Sequence, residues 1–531
     1  MTNSSSARPT VVRSRACVSV QSTICFLVIG ILVIRDFGQL PLWPTDLWDH
    51  VNYGEFILNS GHIPETEPLL SLAADVPMVN TAWGSQVLFT LIAPKPTGNS
   101  TAQSADRTVR EMPPTQADLL WKLTLLQLLH TVTVAAALAV ISRVVLSRTG
   151  SGLVASVAAA AFLAMNRQQF LIIRPQTFGV VLYCVLILLI GRRRPPRISV
   201  AVLFGLWVNL HGSFATGLLL LFLTAAGHAL DLILKTRSVT AWLTSRGVLN
   251  FLYLLAIGAT ACLLNPHGLW IGSEILDVGH HANISSMFEW SPLSLEMQQG
   301  RILAGLLLLL LVVRVLSPRR VRWRDFLPLL VMLLLTLWSA RMINWLAPLM
   351  AVQLGFDLST ILKQHRLNGL GRFVHRRHIW MAANFCLVVC FATWTGSGQR
   401  LVTGRFPPEE QLLSSDTPLG LGRYLSSVPD PPSGRVFAPA EWAGYLMHCS
   451  PDLDCLVNLH VHVLPESIWQ DYLDLLRGAP GISQVFDRYR FAMVILDRKR
   501  NGPLYEVVKD RPEYLPCYSD EQCLVFVRSQ P

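Results

Sequence analysis

Long apolar runs separated by short polar clusters fill the chain to about residue 396, and residues 397–531 lack them. A helix needs roughly 20 mostly apolar residues to cross a bilayer. Runs at 18–35, 118–146, 152–166, 170–191, 198–209, 213–231, 248–264, 302–316, 325–340, 342–358 and 379–396 approach that length, and 198–209 is the shortest of them. They predict a mainly α, polytopic transmembrane helix bundle of about eleven spans. The run 83–93 covers only about 16 Å at the helical rise, so it reads as a juxtamembrane or dipping helix.

The first run follows Arg8, Arg13 and Arg15 and leads into Asp36, Gln39, Pro41 and Trp43 with no small-residue cleavage site, the layout of an uncleaved anchor. The next polar stretch is "DLWDHVNYGEFILNSGHIP" at 46–64. Its spacing predicts an amphipathic helix lying on the membrane surface, with Asp46, Asp49, His50 and Tyr53 at i, i+3, i+4 and i+7 along one face. The helix should end at Gly61, and Trp43 and Trp48 suit the headgroup layer. Two readings of the acidic face are open: a solvated surface, or a carboxylate beside a membrane cavity that takes a proton from an acceptor hydroxyl.

Composition and charge decide orientation and exclude one class of partner. Of 531 residues, 51% are hydrophobic and 15% charged, with a formal net charge of +10. The basic residues fall in clusters between apolar runs: Arg143/Arg148, Arg192 to Arg197, Lys235/Arg237/Arg246, Arg319 to Arg324 and Arg366 to Arg377. That placement fixes membrane orientation and argues against nucleic acid, because no basic face interleaves with aromatics. With every cluster in the cytoplasm, the N-terminus is inside and the C-terminus outside a cell (inner or plasma) membrane.

The remaining polar residues then collect at the outer boundary: Asp46, Asp49 and His50; "NRQQ" at 166–169 with Arg174; "NLHGS" at 209–213; "NPHG" at 265–268; Glu289 with Trp290; and "RMIN" at 341–344. Ionisable groups at membrane depth are costly, and their convergence predicts one polar chamber. Ordinary helix-end polarity is the alternative for any one of them. His50, His62, His211, His267, His280 and His281 lie on that side without a strong ligand spacing, so no metal and no other cofactor is expected.

Residues 94–117 read as a coreless surface insertion. The segment 397–531 reads as a soluble extracytoplasmic α/β domain, with strands at "RVFAPA", "FAMVILD" and "CLVFVR" and a helix at "PESIWQDYLDLLRG". Cys449, Cys455, Cys517 and Cys523 lie there, where an oxidising compartment permits disulfides in any of three pairings.

"DLWDHVNYGEFILNSGHIPETEPL", "WGSQVLF", "RPQTF", "WVNLHGSFATGL", "NPHG" and "RMINWLAPL" are similar to a group of bacterial multi-pass proteins in the GT-C superfamily of membrane glycosyltransferases, relatives of the protein O-mannosyltransferases. The resemblance covers most of the chain. It implies a GT-C-like bundle at 1–396, with an outer loop and juxtamembrane helices at 36–117. It also implies transfer of a sugar from a polyprenyl-phosphate donor to a hydroxyl on a glycan, lipid or protein, without a metal.

By resemblance Asp46 is the catalytic base, with Asp49 the second candidate at a place where the group usually carries an aromatic residue. Arg174, His211 and Arg341 would hold the lipid phosphate, with His50, Asn209 and Asn344 beside them. Arginine suits that task because its planar fork matches phosphate oxygens. The rival readings are a transporter or lipid-binding protein whose cavity binds without reacting, and an envelope scaffold. No internal repeat of broken helices supports transport.

Overall fold

A computed structural model describes residues 20–94, 116–273, 281–365, 377–428 and 432–529. Arg8, Arg13, Arg15, His280, most of the 94–117 insertion and most of the Arg366 to Arg377 cluster lie outside the described residues. Every apolar run expected to cross the membrane is helical: α1 (Val20–Phe37), then, after α2 (Asp46–Ser60) and α3 (Trp83–Ile92), α4 (Gln116–Thr149), α5 (Gly152–Asn166), α6 (Gln176–Ile190), α7 (Arg197–Leu210), α8 (Phe214–Thr236), α9 (Arg246–Ala261), α10 (Gln298–Leu316), α11 (Trp323–Trp338), α12 (Ile343–Gln364) and α13 (Arg377–Trp394).

Among the described residues, four helical stretches are long and apolar enough to cross a membrane, Gln116–Thr149, Phe214–Thr236, Gln298–Leu316 and Ala340–Gln364. A fifth results if α13 and the helix Gly396–Thr403, bent by 92° from it, count as one span. The chain is a membrane protein. Helices α5, α6, α7 and α9 have 14 to 16 residues, which at 1.5 Å per residue falls short of a 30 Å hydrocarbon layer. Helix α6 begins at Gln176 rather than 170 because Gln169–Leu171 turns as a 3₁₀ segment and Pro175 then sets the first helical turn.

The bundle core draws on α1 and α4 to α12, with Trp207, Tyr183 and Trp345 packed edge-on and tilted at its centre. A second core is shared between α2, α3, the start of α4 and the C-terminal segment. That segment carries a five-stranded mixed sheet in the order β2-β1-β3-β5-β4. The strands are β1 (Arg435–Phe437), β2 (Asp454–Cys455), β3 (Met493–Asp497), β4 (Tyr514–Ser519) and β5 (Cys523–Arg528), and three of them are the ones expected. The expected helix runs Glu466–Arg477 and stops at Gly478 in the left-handed conformation.

Two sequence expectations are corrected here. The four tail cysteines are free thiols: Cys455 and Cys523 are buried on β2 and β5, strands that are not neighbours, Cys449 ends a helix and Cys517 is exposed. Helix α2 does not lie on a surface: it is wedged between α3 and the tail helix Ala440–Cys449, with Leu47, Trp48, Asp49, Val51, Asn52, Tyr53 and Ile57 buried. Trp48 packs on Tyr445 and His448 instead of reaching headgroups. The apolar area it removes from water there outweighs an interfacial position. Gly61, at φ 73°, closes α2 as expected.

Candidate functional site

Helix α2 holds its two aspartates in different places. Asp46 opens the helix, where unpaired backbone N–H groups favour a carboxylate. Its Oδ2 lies 3.5 Å from the guanidinium of Arg174. Asp49, one turn on, is 1% exposed and faces the tail: its Oδ2 accepts from the Leu459 N–H at 3.3 Å. A Cβ on Gly444 would fall 2.5 Å from its Oδ1. Asn52 reinforces the same contact by donating to the Gly444 carbonyl at 2.8 Å. Asp49 is thereby part of the joint between α2 and the tail.

Arg174 is buried in the turn before α6, where Pro175 and the backbone bond from the Thr177 N–H to its carbonyl fix its direction. It pairs with both oxygens of Glu289, at 2.7 Å to one of them. The sequence places Glu289 on this side but gives no sign of that pairing, which spans 115 residues. Burial pushes the Glu289 carboxyl up, but the Arg174 charge and hydrogen bonds outweigh it and bring it down to about 2. Burial raises the Asp46 carboxyl above the usual carboxylate range; Arg174 and Arg341 pull it down, and the Glu289 charge adds to the rise. The arrangement pushes the two carboxyls apart: Glu289 is held below the usual carboxylate range and Asp46 is raised above it.

Arg341 sits in the 3₁₀ turn Ala340–Met342 before α12, its guanidinium 5.2 Å above the Trp290 ring. The Ala340 N–H donates to the Ser291 carbonyl at 2.9 Å, which ties that turn to the Glu289–Trp290 strip. Asn344 donates to the Arg341 carbonyl at 3.1 Å and so fixes the turn. Among the described residues Arg341 makes no ion pair, although Glu289 and Asp46 lie close enough to act on its charge. Its hydrogen-bonding fork is uncommitted, unlike that of Arg174.

Two histidines line the same space. His211, in the turn between α7 and α8, accepts the Ser213 N–H on Nδ1 at 3.0 Å. Burial, then the charges of Arg341, His50 and Arg174, hold its ring neutral. His50 is pushed down to about 3 by burial and then by Arg174 and Arg341. Gln86 approaches its Nδ1 at 3.4 Å. From the tail, His460 meets the His50 ring at 5.0 Å and stacks on Tyr53 at 4.5 Å. His462 lies 5.7 Å beyond. Tyr53 donates to Glu67 at 2.5 Å. The two tail histidines, given no role in the sequence reading, form a wall of the site.

Other sequence candidates are placed outside this cluster. Asn209 uses its side chain structurally, accepting from Trp83 at 2.8 Å and donating to the carbonyls of Gly205 at 2.8 Å and Leu264 at 2.7 Å. "NPHG" is a turn closed on itself, with Asn265 bonded to the Cys262 and Gly268 carbonyls and the His267 N–H. In "NRQQ", Arg167 pairs with Asp36 at 3.5 Å and Gln168 donates to Gln298 at 3.0 Å. His62 is exposed. Among the described residues no three His, Cys, Asp or Glu side chains are grouped to hold a metal ion.

What remains is a compact group in which Asp46, Glu289, Arg174 and Arg341 carry two charges of each sign. Its spare capacity is a proton on Asp46 and an anion on Arg341.

No family model and no curated protein matches the chain. Solved structures similar to it in overall chain path include the following two. The archaeal oligosaccharyltransferase AglB from Archaeoglobus fulgidus, in complex with an inhibitory peptide and a dolichol-phosphate, is 11% identical with a TM-score of 0.45, over 96% of this chain and 74% of its own. ArnT from Cupriavidus metallidurans, bound to undecaprenyl phosphate, is 13% identical with a TM-score of 0.47, over 95% of this chain and 97% of its own.

Proposed function

We propose that the chain is a GT-C-type membrane glycosyltransferase that moves a sugar from a polyprenyl-phosphate donor to a hydroxyl acceptor on a glycan, lipid or protein. The observation that carries this reading is the pairing of a raised, half-buried carboxyl, Asp46, with an uncommitted guanidinium, Arg341, across the Arg174–Glu289 pair. In the proposed membrane topology about eleven helices cross the cell membrane. The basic clusters and the N-terminus are cytoplasmic, and the Asp46 end and the 397–531 domain are extracytoplasmic.

The acceptor oxygen attacks the anomeric carbon as the bond from that carbon to the phosphate oxygen breaks. The hydroxyl proton passes to Asp46, and the bonding electrons leave with the polyprenyl phosphate, so one in-line step inverts the sugar. Arg341 and the neutral His211 would take the phosphate oxygens and offset the charge that builds on them. Arg174, already held by Glu289, is a positioning residue that keeps Asp46 aimed. Asp49 is reassigned from chemistry to docking the tail. Asn209 supports α3 and α9, and Asn344 supports the Arg341 turn. His50 would contact the sugar as a neutral donor or acceptor.

The test is release of polyprenyl phosphate from a panel of polyprenyl-phosphate hexoses by the purified full-length protein supplied with a panel of hydroxyl acceptors (glycan, lipid and peptide). Asp46→Asn should slow release by about 10²- to 10⁴-fold, the usual worth of a general base, while thermal unfolding stays near the wild type. Undiminished release by a folded Asp46→Asn protein would remove the assignment of the base. Donor binding without release by the wild type would favour the lipid-binding reading.

A further inference from the structure

At the end of the bundle away from Asp46 there is a cavity of about 1000 Å³, bounded by the turn joining α6 to α7, the last turn of α4 and the first turns of α9 and α11. Arginines dominate its wall: the run Arg192 to Arg194, with Arg148, Arg197, Arg246 and Arg324 around it, and no Asp or Glu lines it. A basic cluster that serves only to orient a membrane protein needs charge on one side and no cavity.

Most of these cations are uncompensated. Arg324 reaches Asp325 at 3.4 Å, but that carboxylate is shared with Arg319 and Arg322. Arg148 donates to the Gly191 carbonyl and lies 5.3 Å over Phe356. Among the described residues Arg192, Arg193, Arg194 and Arg246 make no ion pair.

The rim supplies a second, independent feature. Ile198 lines the cavity at its mouth and is 82% exposed. Val202 and Leu206 follow it at i+4 and i+8 on the same outward face of α7, and Leu249 and Tyr253 form the matching face of α9; all are exposed. The Arg197 guanidinium stacks 4.5 Å over Tyr253, so the charged wall and the apolar stripe meet at one edge. An anion-binding hollow that opens onto a lipid-facing apolar stripe has the shape of an amphiphile.

We propose that this cavity seats the phosphate headgroup of an anionic phospholipid from the adjoining leaflet, with its acyl chains along the outward faces of α7 and α9. Arg193, Arg194 and Arg246 bind the phosphate oxygens, and Ile198, Val202 and Leu249 receive the first methylenes. No carboxylate lines the site, and the His228 imidazole in its wall stands among arginines with no carboxylate in that wall to form a catalytic pair, so the site binds and does not react. Its occupant ties the α6–α7 turn to α9 and α11 and stabilises the bundle.

The experiment is thermal unfolding of the full-length protein in neutral detergent, titrated with phosphatidylglycerol, phosphatidylcholine or inorganic phosphate. Phosphatidylglycerol should raise the midpoint and phosphatidylcholine should not. Inorganic phosphate, lacking chains, should give little at the same concentration. Replacing two arginines, Arg193→Gln with Arg246→Gln, should raise the half-effective phosphatidylglycerol concentration about thirtyfold. Lys235→Gln, an exposed charge at the same end outside the cavity, should leave it unchanged. If the Gln pair fails to insert, Arg193→Lys with Arg246→Lys keeps the positive charges and should still weaken binding severalfold by removing the planar forks. Equal shifts from phosphatidylcholine, a full shift from inorganic phosphate, or an unchanged titration in the Lys pair would each overturn the proposal.

Discussion

The two ends of the bundle both gather arginines, and they differ in what faces those arginines. At the Asp46 end the charged groups are buried (Arg174) or half-buried (Asp46, Glu289 and Arg341) and come from four distant parts of the chain, and Arg174 is matched by Glu289 and Asp46, with Arg341 near both. At the other end a local run of arginines borders an open cavity with no carboxylate in its wall. Both ends can take an anion, but only the first sets carboxylates into the wall beside its arginines. The difference separates chemistry from binding: matched, partly desolvated charges raise one carboxyl above the usual carboxylate range, whereas unmatched, solvated ones supply only attraction.

The sharpest way to break this contrast is inside the arginine end itself, where one carboxylate is fully matched. Asp357 on α12 is 0% exposed, accepts from Arg314 at 2.6 Å and Gln353 at 2.8 Å, and lies 3.5 Å from Arg319. Asp357→Asn leaves Arg314 without its ion partner, while Arg319 keeps Asp325, and should destabilise the bundle by about 3 kcal/mol, read from unfolding in detergent. Polyprenyl-phosphate release per folded molecule should be unchanged. A loss of release without a loss of stability would show that the two ends are coupled.

A smaller effect is expected at Arg341. Arg341→Lys keeps the charge but removes the planar fork and weakens the stack on Trp290. Donor binding should weaken by about tenfold to a hundredfold, the worth of one charge-assisted hydrogen bond. The pH dependence of release should stay put, since Asp46 sets it: its raised pKa puts the acid limb above that of an ordinary carboxylate, with release rising as pH rises through it. The same loss in Arg174→Lys accompanied by a shifted acid limb would distinguish the residue that aims the base from the residue that holds the phosphate.

The joint between α2 and the tail comes next. Gly444→Ala places a methyl group against the carboxyl of Asp49 and should cost about 1–3 kcal/mol through overpacking. The outcome is read as faster proteolysis of the tail with the bundle intact. If the tail wall of the site matters to the donor, release should fall along with tail docking.

The path from sequence to this picture was uneven for physical reasons. Every apolar run singled out from the sequence is helical, because burial in lipid or core demands long apolar runs whatever the partners, while short helices such as Ala282–Ser285 left no such pattern. Helix α2 and its stop at Gly61 were legible from local spacing and capping. Its surroundings were not: the sequence reads Asp46 and Asp49 as one face, yet 60° of helical rotation sends one to Arg174 and the other to Gly444. Arg174 and Arg341 could be named from their motifs. The Arg174–Glu289 pair and the His460–His462 wall depend on contacts between segments more than a hundred residues apart, for which no local signal exists.

The finest test uses a proton. His448, 5% exposed in the tail helix, rests on Trp48 of α2 with ring centroids 4.8 Å apart. Burial pushes its pKa down to about 4 from 6.5, against a hydrogen bond to the Pro94 backbone that raises it. Below pH 6.5 the unfolded chain takes up this proton while the folded chain refuses it until about pH 4. The stability contributed by the neutral ring is therefore whole above pH 6.5 and drains away as pH falls through that window, at no more than about 1.4 kcal/mol per pH unit. Asp46, Asp49 and Glu67, with raised folded values, act in the opposite sense, stabilising at low pH and losing that contribution as pH rises. Those carboxyl effects are common to wild type and variant, so they cancel in a comparison with His448→Gln. The difference in unfolding free energy between the two proteins should be constant above pH 6.5 and should shrink steadily from there to pH 4. Parallel curves across that window would mean that the ring is hydrated and that the tail joins α2 less tightly than the packing of Trp48 implies.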